Sequence, residues 1–197
     1  MNYFNIQFMI KNCLLLALMS VLAMACKTDM IERIKESEMD NGGFIRTVSP
    51  YPVGNTTFSV SKANMSGTKM EFVAEAVTTN YGALLASYDL TIKFVDATPA
   101  NGTTPSTVVT LKSIPASSFA KDATTGYPRA TISVTGAEAL TATKLTAADI
   151  ANGDRFEING TMKLTNGKSF SAANTGANIT GGAYYSSPFF YRLNVVN

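Results

Sequence analysis

From Gly43 onward the chain is cut into short runs in which every second residue is apolar, and Gly, Pro or Asn separates one run from the next. A period of two sends alternate side chains to opposite faces, the mark of a half-buried strand rather than an amphipathic helix. The runs fall at 44–48, 57–61, 70–77, 88–95, 108–111, 129–134, 156–159, 161–165, 168–171 and 189–196. Met70, Phe72, Ala74 and Ala76 share one face of their run, and Leu90, Ile92 and Phe94 share one face of theirs. Asn166-Gly167 between two alternating runs is a strong hairpin signal. Helical signals are confined to one region. Thr135-Gly136-Ala137-Glu138 has the form of a capping box, Thr146-Ala147-Ala148-Asp149 repeats it, and Gly153 follows. The pattern predicts an all-β domain, an immunoglobulin-like antiparallel β-sandwich with one or two short helical turns crossing between its sheets.

The stretch ahead of the sandwich reads differently. Residues 13–25 are nearly all apolar, about the length of a signal-peptide core, whereas a membrane-spanning helix needs roughly 20 apolar residues. The stretch ends in Leu22-Ala23-Met24-Ala25-Cys26. Ala23 and Ala25 satisfy the small-x-small rule for a cut before Cys26, and a cysteine at the first mature position resembles a bacterial lipobox, with Leu22 one residue further back than usual. Residues 1–25 are therefore expected to be a lipoprotein signal peptide, with Cys26 lipidated and holding the protein to a membrane through its acyl chains. Cys13 leaves with the signal, so the mature domain is expected to have no disulfide. Residues 26–42 are a charged tether with helical character, in which Asp29 can cap, Glu32 follows three residues on, and Met30, Ile31 and Ile34 cluster on one side; the segment is read as a spacer between membrane and domain, with Met30, Ile31 and Ile34 as a tether contact for a partner the alternative. The sandwich then spans 43–197.

Removing the signal leaves about 170 residues, enough for one domain with a substantial core. The formal charge of +2 falls by one with Lys11, which gives no electrostatic case for nucleic acid. Histidine is absent, which removes His-based catalytic bases, triads and zinc sites from consideration. The carboxylates Asp89, Asp96, Asp122, Glu138, Asp149, Asp154 and Glu157 are scattered, and several sit at turns or caps where Asp serves the local backbone. No catalytic residue, metal ligand or cofactor is expected. Calcium at Asp96, Asp122 or Asp154 is the metal alternative considered, against turn and cap roles for the same residues.

The most suggestive side chains are aromatic. Tyr184 and Tyr185 lie on a glycine-rich loop just ahead of Phe189, Phe190 and Tyr191, and Tyr81 and Tyr127 lie in other turns. Exposed tyrosines stack on sugar rings or anchor protein interfaces, and the absence of Trp tilts the expectation toward protein contacts.

The segments Gly42-Gly43-Phe44-Ile45-Arg46-Thr47, Ile150-Ala151-Asn152-Gly153-Asp154-Arg155-Phe156 and Leu164-Thr165-Asn166-Gly167-Lys168-Ser169-Phe170, behind an anchor cysteine and a polar tether, carry a resemblance. Together they resemble the small surface lipoproteins of Bacteroidota that accompany SusC/SusD-type outer-membrane transporters. Lys27 and Asp29 after the anchor loosely resemble a surface-export signal of such proteins. The resemblance implies a non-enzymatic, cell-surface lipoprotein of the outer membrane, an accessory subunit of an outer-membrane β-barrel complex. It transfers no catalytic residue. The alternatives are a surface glycan-binding protein that captures polysaccharide directly, a peptide ligand at the same tyrosines, and an adhesin or matrix component.

Overall fold

The computed structural model describes residues 42–104, 107–183 and 185–197. The export segment, the anchor Cys26, the tether residues Met30, Ile31 and Ile34, and Tyr184 lie outside the described residues.

One sheet has the order β1 (Gly43–Ser49), β3 (Lys69–Thr78), β7 (Pro128–Thr135) and β6 (Ala120–Lys121). The other has the order β2 (Phe58–Ser61), β10 (Phe190–Val196), β8 (Arg155–Leu164), β4 (Leu85–Val95) and β5 (Val109–Pro115), with β9 (Ser169–Ser171) also on β8. Lettered in chain order with β2 as A′, the first sheet reads A-B-E-D and the second A′-G-F-C-C′, which is the immunoglobulin-like arrangement. The alternating residues meet between the sheets as their period requires. Met70, Phe72, Ala74 and Ala76 from β3 are buried against Tyr88, Leu90, Ile92 and Phe94 from β4 and Phe156, Ile158 and Met162 from β8. Across the sheets Phe72 stacks on Tyr191 at 4.4 Å, and within the second sheet Phe94 packs on its register partner Phe156 at 5.4 Å. Both cysteines precede the sandwich, so aromatic packing joins its sheets without a covalent cross-link.

The crossing from β7 to β8 carries the helical signals. α1 (Gly136–Thr143) starts in a reciprocal capping box, with Glu138 N–H donating to the Thr135 hydroxyl at 3.1 Å and Thr135 N–H donating to Glu138 Oε2 at 2.7 Å. It stops at Lys144, left-handed at φ 57. A second box between Thr146 and Asp149 frames the single turn Ala147–Asp149. The corner into β8 is fastened by buried Asp154, whose carboxylate accepts from Ala97 N–H at 3.0 Å, the Thr98 hydroxyl at 2.9 Å and Ala151 N–H at 2.7 Å.

Three features depart from the alternation pattern. Residues 156–159 and 161–165 are not separate runs, because β8 passes unbroken through Gly160. A Cβ there would collide with the Tyr88 ring and hydroxyl, so the glycine is what lets Tyr88 lie across β8. Next, the expected strand over 189–196 begins one residue later, since Phe189 is left-handed at φ 51. β9 pairs with Thr161–Lys163 and β10 with Arg155–Asn159, so the two share one edge of β8 as a single interrupted G strand. The interruption, residues 172–189, swings to the edge of the other sheet. There Thr47 N–H donates to Ser186 O at 2.7 Å and the Ser186 hydroxyl donates to Thr47 O at 3.0 Å. The excursion includes α2 (Ala177–Gly181). Finally, the sandwich is not wholly antiparallel. β2 pairs with β10 in parallel over Phe58–Ser61, because the chain changes sheets between β1 and β2 without reversing direction.

Candidate functional site

The turn from β3 to β4 presents the most exposed large aromatic side chain among the described residues. Within the turn Thr79–Gly82, Asn80 (φ 51), Tyr81 (φ 54) and Gly82 (φ 84) are consecutively left-handed. That conformation costs a non-glycine residue about 1–2 kcal/mol, and such strain concentrates at functional positions. The turn is held from both sides. Leu84 N–H donates to the Thr78 hydroxyl at 3.2 Å, and Gly82 packs so closely on Pro128 that any Cβ would collide with the proline ring. That close approach sets Tyr81 beside Tyr127, ring centroids 5.4 Å apart, with 64% of Tyr81 exposed. Gly126 lies against the Tyr81 ring, where a Cβ would come within 3.2 Å of it.

Open clefts flank this ring. One of about 460 Å³ runs over Tyr81, Lys121, Asp122, Thr124 and Gly126. Another of about 360 Å³ lies between Asn80, Tyr81, Ala116, Phe119 and Lys121. The floor beneath is rigid and charged. Glu75, fully buried on β3, bonds Arg46 on β1 and accepts from Arg129 Nε at 2.7 Å and the Thr125 hydroxyl at 2.9 Å. Arg129 also donates to Asp122 at 2.8 Å. The Thr125 N–H, then its hydroxyl and the Arg129 charge, hold the Asp122 carboxyl below its ordinary value. The 122–127 loop that carries Tyr127 is thus anchored at its base, while the Tyr81 face remains open.

The structure joins Tyr81 to Tyr127 and sends Tyr185 elsewhere. Tyr185 packs edge-on against Phe44 of β1, centroids 5.2 Å apart at 87°, and so helps fasten the 172–189 excursion to the sandwich. Beside it, Tyr51 is 52% exposed and donates to Ala183 O at 3.0 Å, bordering a smaller cleft of about 290 Å³. Phe189 and Tyr191 are core, and Phe190 is half-buried on the outer face.

The carboxylates weighed as metal or catalytic groups are engaged locally. Asp96 accepts from Thr98 N–H and Thr104 N–H at 2.9 Å each, and Asp122 and Asp154 likewise face N–H and O–H donors, the wrong polarity for a cation. Among the described residues no group of three His, Cys, Asp or Glu side chains gathers as a metal site. Burial works to raise Asp89, Glu138 and Glu157, but Lys163 on Asp89, Lys112 on Glu138 and Lys93 on Glu157 outweigh it, and all three end below their ordinary values. A general acid at neutral pH needs the opposite shift.

Asn80 and Phe119 are site residues that the sequence pattern passes over. Their one local signal is the Asn80-Tyr81-Gly82 tripeptide, whose outer residues favour the left-handed region. No protein-family model matches the chain, and no curated protein matches it. No helix among the described residues is long and apolar enough to cross a membrane.

Proposed function

We propose that the chain is a non-catalytic, lipid-anchored protein of the outer membrane whose immunoglobulin-like domain docks, through the Tyr81 end, onto an outer-membrane β-barrel complex as an accessory subunit. The observation that carries this reading is Tyr81 itself, a large aromatic ring exposed on a strained but well-braced turn. Rigid, exposed tyrosines are favoured interface anchors, since little side-chain freedom is lost on docking. Among the described residues the carboxylates serve ion pairs, caps and corners, which supports binding over chemistry. The SusC/SusD-type transporter as partner rests on the sequence resemblance, and surface attachment through Cys26 rests on the export segment.

The test is gentle-detergent purification of a C-terminally tagged chain from native membranes, with mass spectrometry of the anchor and of co-purifying proteins. Stoichiometric recovery of a barrel protein, lost with Tyr81→Ala, is the expected result. Recovery of an acylated chain alone would overturn the subunit role. A second reading is favoured by the clefts on either side of the Tyr81 ring, since a sugar ring stacked there would reach Asn80 and Lys121. In that case affinity gels with soluble polysaccharides retard the wild-type domain and leave Tyr81→Ala unretarded.

A further inference from the structure

We propose that the outer face of β4, β8 and β10 is a second docking surface, fitted to an acidic protein surface and anchored by Arg192. Strand register sets Lys93, Glu157 and Arg192 opposite one another in a single row across the three strands. Alternation puts Asp89, Arg155 and Lys163 on the same face. Three of the four cations are satisfied within the face. Arg155 and Lys93 each take one oxygen of Glu157, at 3.0 and 2.9 Å, and Lys163 pairs with Asp89 at 2.6 Å. With both Glu157 oxygens occupied, Arg192 makes no ion pair among the described residues. Its guanidinium lies over the Phe190 ring, 5.9 Å from the centroid, and its Nε is sealed from solvent without an acceptor.

A guanidinium stacked on an aromatic ring is pre-organised, so little rotamer freedom remains to be lost when a carboxylate meets its outer nitrogens. Arginine and aromatic residues are each enriched at interface centres. The surroundings select the partner class. Glu157 and Asp89 interrupt the positive charge, which disfavours a uniformly anionic polymer and suits the spaced carboxylates of a protein surface. The clefts over Tyr51, over Tyr81 and beside α1 are lined by residues outside this sheet face, so nothing in their lining assigns it a small-molecule ligand. Because this face is separate from the Tyr81 turn, the proposal stands or falls independently of the subunit role.

The experiment measures binding of the folded domain to a random glutamate–alanine copolypeptide and, in parallel, to polygalacturonate of equal charge. The expected result is salt-sensitive binding to the copolypeptide that weakens about tenfold in Arg192→Ala and less than about twofold in Lys168→Ala, which removes the same charge from an exposed turn. Arg192→Lys, which keeps the charge without the planar fork, recovers only part of the loss. Near-ultraviolet circular dichroism confirms folding. If Arg192→Ala does not fold, Phe190→Leu takes its place, with an expected loss of about threefold from the lost stacking. Absence of copolypeptide binding, equal binding by the Arg192 variants, or polygalacturonate binding as tight as that of the copolypeptide would each overturn the proposal.

Discussion

Two glutamates on β3 pair with cations, but the two are not equivalent. Glu75 is fully buried beneath Arg46, Arg129 and Thr125, whereas Glu71, four residues earlier on the same strand, pairs with Lys69 while 44% exposed. Removing Glu75 strands two arginines that are themselves partly exposed, so the cost is the lost charge-assisted bonds discounted for solvent, about 2 kcal/mol. An exposed pair contributes less than about 0.5 kcal/mol, because solvent screens it and two long side chains must be ordered. Glu75→Ala should therefore lower the unfolding free energy of the domain, read from urea denaturation, by about 2 kcal/mol with unchanged slope, and Glu71→Ala should leave it nearly where it is. Equal effects would mean that the Arg46–Glu75–Arg129 row behaves as ordinary surface charge. The same comparison separates the Tyr81 end from its foundations, since the 122–127 loop hangs from Glu75 through Thr125 and Arg129.

Strand β6 has two residues, so most of the β7 edge that a D strand would cover is open. The gap is bridged from the opposite sheet. Lys112 on β5 donates to Ser133 O and to Glu138 Oε1, each at 2.7 Å, and Glu138 Oε2 closes the cap of α1 on Thr135. One carboxylate thus ties an edge strand, an open edge and a helix start. Thr135→Ala should cost about 1 kcal/mol as a lost cap, and Lys112→Ala about 1.5 kcal/mol as lost charge-assisted bonds, discounted because both partners are partly exposed. Since both act through Glu138, the double variant should fall short of the sum by at least about 0.5 kcal/mol in chemical denaturation. Strict additivity would show the tie to be two unrelated contacts. Elements of this kind also mark the limit of what the sequence made legible. The Thr135 box and the Asn166-Gly167 hairpin depend on neighbours within four residues, so a local pattern reveals them. The split G strand, the parallel β2–β10 pair and the Tyr81–Tyr127 contact depend on meetings between distant segments, which no local spacing encodes. Tyr185 was legible as an aromatic on a glycine-rich loop, but its use against Phe44 follows from the path of the 172–189 excursion.

For the molecule as a whole, the charge inventory dictates an unusual pH profile. There is no histidine, so no side chain with an ordinary pKa near 6.5 titrates between the carboxylates and the most alkaline groups. On the acid side, Asp89, Glu138 and Glu157 are depressed because their cationic partners outweigh burial, and Asp122 and Asp149 are depressed by hydrogen bonds from Thr125 and Thr146. For a depressed acid the folded state binds protons more weakly than the unfolded chain. Its stabilisation is therefore complete above the ordinary carboxylate range and is lost as pH falls through the depressed values. On the alkaline side, burial raises Tyr88 well above its ordinary value, with Tyr191 adding to the shift, and burial pushes Tyr191 up to about 12 despite the bond from Thr47. For a raised phenol the sign reverses, so stability is complete below the ordinary tyrosine pKa of 10.0 and is lost as pH climbs through the raised values. The melting temperature of the sandwich should accordingly be flat within about 3 °C from roughly pH 5.5 to 9, less than one kcal/mol for a domain of this size. It should fall steeply below about pH 4 and again above about pH 10. Tyr88→Phe removes one phenol that must stay neutral in the core, and it should soften the alkaline limb while leaving the acid limb unchanged. A scan by differential scanning calorimetry decides the matter. A slope through neutrality would require a titrating group that the described sandwich does not contain, and an alkaline limb insensitive to Tyr88→Phe would place that transition on Tyr191 or the lysines instead.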